Sequence, residues 1–177
     1  MPREHLMRDP HPDHAFLLAA LERFERPLIR YALGIVGEIN QARDVVQEVF
    51  IKLSQNLTTL DRERLTPWLF TVCKNRALDH QRKHQRLVSM ENEILDLEAS
   101  NAPAPSAALE QEEMSAQLKR WMEALPEKQR EAVRLKFEAG LNYKEISDIL
   151  KTSVGNVGTL IHLGVTTMRE RWMAMNA

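Results

Sequence analysis

One cysteine in 177 residues excludes an intramolecular disulfide framework and suits a reducing compartment. Glycine is scarce, at six residues, and no stretch shows the sustained period-two alternation of a half-exposed sheet. An all-α fold is therefore expected. No apolar run approaches the ~20 residues needed to cross a bilayer, so no membrane insertion is expected. The opening "MPREHLMRDPHPDH" is polar and broken by proline, unlike a signal peptide, which points to a cytoplasmic protein. No Ser-His-Asp set, paired-carboxylate constellation or glycine-rich phosphate loop stands out. Neither an enzyme nor a cofactor is expected.

What is present is an uneven distribution of charge. The formal total is −1, but residues 74–86, "KNRALDHQRKHQR", hold five bases and one acid. Residues 87–114 hold seven acids and no base, and residues 115–177 hold ten bases against seven acids. Two basic blocks separated by an acidic one fit two polyanion-binding modules on a tether, or simply two solvated faces. The acidic segment contains "NAPAPSAA", which has no helical or strand period and reads as a linker over residues 89–108. About twenty extended residues reach roughly 70 Å, comparable to two turns of B-DNA. The expected layout is a mobile tail (1–13), a helical domain (14–88), the linker, and a second helical domain (109–177).

In the first domain, the helix from His14 is expected to be interrupted at Pro27 and to stop at Gly37. A second helix, with Asn40 as its cap, places Ala42, Val45, Val46, Val49, Phe50 and Leu53 on one buried stripe. Asp44, Gln47, Glu48 and Lys52 lie opposite. A third helix, capped by Thr66 with Pro67 next, aligns Asn75, Asp79, Arg82, Lys83 and Arg86 opposite Leu69, Val72, Cys73 and Ala77. Three cations and an amide along one face suit a phosphate backbone with bases nearby.

In the second domain, Pro126 opens a helix that Gly140 closes. Asn142 with Glu145 forms an Asx capping box for "YKEISDIL". Lys151-Thr152 is a short turn, and Ser153 caps the last helix. Val154, Val157, Ile161, Gly164, Val165 and Met168 share its packed face. Gly155, Asn156, Thr159, His162, Leu163 and Thr166 face outward. Helix, tight turn and capped helix read as a helix-turn-helix.

The segments "ARDVVQEVFIKL", "PWLFTVCKNRALDHQRK" and "LPEKQREAVRLKFEAGLNYKEISDILKTSVGNV" resemble, in the family's order, those of bacterial sigma factors of the extracytoplasmic-function group. The resemblance spans roughly residues 14–171 and implies an alternative sigma factor. Its partners would be RNA polymerase core (β′ clamp helices and β flap), promoter DNA and an anti-sigma factor. Asp44, Gln47 and Glu48 would contact the clamp helices. The loop 58–66 would capture a flipped minus-ten base, and Asn75, Arg76, Asp79, Arg82, Lys83 and Arg86 would line the adjoining DNA track. Lys144, Ser153, Asn156, Thr159, His162 and Leu163 would face the minus-thirty-five element.

The last helix departs from the family pattern, since Thr152 to Met168 contain no Lys, Arg, Asp or Glu. Backbone amides at its N-terminus can hold a phosphate. Asn156 and Thr159 can hydrogen-bond base edges, and leucine or a Thr methyl can pack on a thymine methyl. Long-range attraction would come from Lys128, Arg130, Lys136, Lys144, Lys151, Arg169 and Arg171. The alternative is a sigma-like regulator that binds DNA or polymerase without initiating transcription. His80 and His84 have the spacing of a metal pair but no third ligand, because Cys73 lies about 10.5 Å along the helix from His80. No metal site is expected. Trp68 and Cys73 are expected to pack in the core.

Overall fold

The computed structural model describes residues 12–94 and 106–176, with side chains described for 13–86 and 113–176. Seven α-helices and one 3₁₀ turn make up these residues, and no strand occurs among them. The N-terminal bundle comprises α1 (Pro12–Val36), α2 (Ile39–Gln55), a 3₁₀ turn (Arg62–Arg64) and α3 (Leu65–Ile94). The C-terminal bundle comprises α4 (Ser106–Glu123), α5 (Glu127–Phe137), α6 (Tyr143–Leu150) and α7 (Val154–Met175). The flanks of the expected linker are thus helical. Residues 95–105, and His5 and His11 of the expected tail, lie outside the described residues.

Helix α1 is continuous through Pro27, against the expected interruption. Phe24, Leu28 and Tyr31 bury on both sides of the proline, and this packing holds the helix together despite the missing backbone donor. Gly37 ends the helix at φ +81° and donates to Leu33 O at 2.8 Å, a conformation that favours glycine. Two further expectations about caps are corrected. Helix α2 starts one residue after Glu38, not at Asn40, because the Glu38 carboxylate accepts from the amides of Asn40 and Gln41 at 2.7 and 2.8 Å. Helix α3 starts at Leu65, continuing the 3₁₀ turn that Asp61 caps, so Thr66 is already inside it.

The α2 stripe is buried as the sequence requires: Ala42, Val45, Val46, Val49 and Leu53 are enclosed by α1 and α3. Cys73 and Ala77 are fully buried, and Trp68 is partly buried against the same core. Tyr31 meets Phe70 edge-to-face at 5.3 Å. In the C-terminal bundle, Gly164 lets α7 approach α5 closely, since a Cβ there would lie 2.8 Å from Val133 Cγ2. The capping box is formed in full: Glu145 N donates to Asn142 Oδ1 at 2.9 Å, and Asn142 N donates to Glu145 Oε2 at 3.0 Å.

The two bundles are packed together. Ala132, Leu135, Ala139, Leu141, Ile146, Val157 and Ile161 join the hydrophobic core of the N-terminal bundle as one cluster. Helix α6 lies against α3, and α5 touches α1.

Candidate polymerase and DNA interfaces

On α2, Asp44 and Gln47 are exposed, while Glu48 is only partly so. Glu48 reaches back to α3: its Oε1 is 3.0 Å from His80 Nε2 and its Oε2 is 3.6 Å from Arg76 Nε. Arg76 and His80 follow Glu48 by 28 and 32 positions, and no local pattern announces the contact. His80, half of the spaced histidine pair on α3, is therefore held by a carboxylate. His84 is exposed. Among the described residues, no group of three or more His, Cys, Asp or Glu is arranged to hold a metal.

The α3 stripe is brought together as a surface. Asn75, Arg76, Asp79, Arg82, Lys83 and Arg86 are all exposed, opposite the buried Val72, Cys73 and Ala77. Asp79 lies 3.5 Å from Arg82 and offsets part of its charge. Burial pushes the Cys73 thiol up to about 12, which suits its place in the core. Beside the stripe, Leu60, Arg64 and Trp68 line one wall of a cleft of about 360 Å³. Asp148, Ile149 and Lys151, from the end of α6, line the other wall.

On the helix-turn-helix, Lys144, Ser153, Asn156, Thr159, His162 and Leu163 are exposed. Ser153 Oγ accepts from Asn156 N at 3.1 Å and caps α7, while Lys151 turns the chain at φ +51°. Asn156 Nδ2 donates to Thr152 Oγ1 at 2.8 Å, and the Thr159 hydroxyl donates to Gly155 O at 3.3 Å. The Asn156 Oδ1 and the Thr159 hydroxyl oxygen remain as acceptors. Val154 is corrected from packed to exposed, at 48 %. As the first residue of α7 it sits one turn ahead of Val157, where burial begins.

The surrounding cations divide into two sets. Lys128, Lys144, Lys151 and Arg169 are exposed. Arg130 is spent on Glu123 O at 2.7 Å, Arg171 on Trp121 O at 3.2 Å, and Lys136 lies over the Tyr143 ring at 5.3 Å. None of the described helices is long and apolar enough to cross a membrane.

Residues 20–87 match the family described as Sigma-70 region 2, and residues 115–168 match Sigma-70, region 4. The ECF RNA polymerase sigma factor SigM of Bacillus subtilis is 29 % identical over 140 residues, covering 79 % of this chain and 85 % of that protein. SigW of the same organism is 28 % identical over 146 residues, covering 77 % and 78 %. The fold is similar to that of CnrH solved in complex with the cytosolic domain of CnrY, with a TM-score of 0.63, 21 % identity, and coverage of 89 % and 88 %. It is also similar to RpoE of Bartonella quintana, solved in complex with the anti-sigma factor NepR, with a TM-score of 0.56, 22 % identity, and coverage of 88 % and 95 %. The two family matches together span more than half of the chain, which belongs to the extracytoplasmic-function group of the sigma-70 family: it is an alternative sigma factor that directs the initiation of transcription.

Proposed function

We propose that the N-terminal bundle docks on polymerase core through Asp44, Gln47 and Glu48, and that α3 carries the minus-ten DNA. The observation that supports this is the split of α3 into a fully buried face and an exposed row from Asn75 to Arg86. Such a row holds phosphates at helical spacing while the core fixes its direction. The loop 58–66 offers a place for an unpaired base, whose edges are hidden in a duplex. The C-terminal helix-turn-helix reads the minus-thirty-five element through Asn156, Thr159, His162 and Leu163, with Ser153 and Lys144 at the phosphates. The protein works in the cytoplasm without chemistry of its own, and strand opening draws on binding free energy. An anti-sigma factor is its regulator, in line with the complexes in which CnrH and RpoE were solved.

The test exchanges charge on α2. Asp44→Arg with Glu48→Arg abolishes capture of the chain by core polymerase while helical content is unchanged. Undiminished capture contradicts the assignment. Although Glu48 is tied to Arg76 and His80, both are partly exposed, so the pairing is weak enough for a basic partner to replace.

A further inference from the structure

Helices α4, α5 and α7, with the last turn of α1, surround a cavity of about 850 Å³. None of the residues assigned to the minus-thirty-five element lines it. Its walls are mostly apolar. Trp121 and Met122 are buried there, and Leu118, Phe137 and Trp172 stand at the mouth, exposed at 50, 63 and 44 %. Trp121 and Trp172 meet edge-to-face at 6.4 Å. Large apolar side chains gathered around one opening mark a binding surface rather than a solvated face.

The end of the cavity against α1 is polar, and two glycines shape it. Gly34 lies inside α1, where glycine weakens a helix relative to alanine. A Cβ there would overlap the Glu138 carboxyl group. A Cβ on Gly37 would lie 2.8 Å from Lys119 Nζ. The Arg134 side chain is 9 % exposed, and its Nη2 donates to Gly34 O at 3.0 Å. Its buried Nε has no hydrogen-bond partner among the described residues. Glu138 Oε2 is 3.9 Å from that nitrogen, beyond hydrogen-bond reach, and is likewise buried and unpartnered. Buried polar atoms of this kind are normally answered.

Charge sets the sign of what can answer them. Lys119, Arg134 and Arg169 line the cavity against Glu138 alone, and Lys119 and Arg169 form no ion pair among the described residues. Burial raises the Glu138 carboxyl to about 7, so near neutral pH it also holds a proton to donate. An incoming carboxylate can accept from Arg134 Nε and from Glu138 together.

We propose that this cavity binds a small amphipathic carboxylate of the fatty-acid type, its tail between Trp121, Trp172 and Phe137 and its head group at Arg134, Lys119 and Glu138. The volume lies within the range of small-molecule pockets, about 300–1,000 Å³, and apolar walls with a few convergent polar groups are their usual lining. The site is separate from promoter recognition and does not depend on that reading.

The test titrates dodecanoate, below its micelle concentration, into the full chain by calorimetry, while NMR follows the indole N–H signals of the tryptophans. One saturable site is expected, with shifts at Trp121 and Trp172 and none at Trp68, which lines the other cleft. Shortening the tail by two carbons weakens binding about tenfold. Dodecanol and dodecyltrimethylammonium bind at least about tenfold more weakly than dodecanoate. Lys119→Glu weakens dodecanoate by about tenfold or more, and Leu118→Asp at the mouth also weakens it. Both positions are exposed, so the fold tolerates either change, and far-UV helicity checks it. Absence of saturable binding, a shift at Trp68 in place of Trp121 and Trp172, or equal binding of the cationic analogue overturns the site. Undiminished binding by Lys119→Glu overturns it as well, since adsorption to apolar surface alone would then account for the signal.

Discussion

Lys74 of α3 and Glu131 of α5 lie 3.3 Å apart across the junction of the two bundles, with Glu131 almost wholly withdrawn from water. A buried carboxylate is costly unless it is paired and hydrogen-bonded, and here both an ammonium and the Tyr31 hydroxyl answer it. Burial together with the Glu131 carboxylate pushes the Tyr31 phenol well above its usual range.

Stability should depend on pH through Glu138. Burial raises its carboxyl to about 7, with Arg134 opposing the rise and Glu131 adding to it. In the unfolded chain the group returns towards an ordinary carboxylate value near 4.5. The raised value means that the folded form binds the proton more tightly. Its contribution is fully present below the unfolded value and is lost as pH rises through about 7. Folding stability read by denaturant unfolding therefore falls between about pH 4.5 and about pH 7, and Glu138→Gln flattens this dependence. A stability that grows with pH over this range contradicts the assignment.

Gly164→Ala tests the packing of α7 on α5. The new methyl would approach Val133 Cγ2 to 2.8 Å, and Val133 is itself buried. A loss of about 1–3 kcal/mol is expected from overpacking, measured by denaturant unfolding. An unchanged midpoint would mean that the two helices separate easily.

Ser153→Ala removes the acceptor for Asn156 N and frays the first turn of α7. The cost is about 1 kcal/mol, with Ser153→Asp as the restoring control. Because that turn carries Asn156, minus-thirty-five binding should fall with the cap and return with the aspartate.

Asn156→Ala and Thr159→Ala should lower transcription from cognate promoters without weakening core capture. The helix they occupy has no Lys or Arg from Thr152 to Met168, so few phosphates are neutralised. The slope of log affinity against log salt should be shallow, and Lys144→Ala or Lys151→Ala should each reduce it by about one unit. Normal transcription by both Asn156 and Thr159 variants would mean that the helix meets another partner.

What the sequence disclosed was local. The α2 stripe, the Asn142–Glu145 box, the glycine stops at 37 and 140 and the exposed α3 row all follow from period and cap chemistry, and each stands as expected. The misses have tertiary causes. Packing of Phe24, Leu28 and Tyr31 carries α1 through Pro27, and a glutamate serves where Ser, Thr, Asp or Asn usually caps. The pairing of Glu48 with Arg76 and His80, like the clasp of Lys74 by Glu131, joins residues distant in sequence. No periodicity encodes such contacts. Gly34 did leave a trace, as a glycine inside an amphipathic helix, where close approach by another element is the usual reason.

The most direct measurement of the central claim is transcription in vitro with purified chain, core polymerase and a library of random upstream sequences. The account predicts start sites enriched for two spaced motifs, the nearer lost with substitutions on the α3 row and the farther with Asn156→Ala. Core binding without any selected start site would contradict it.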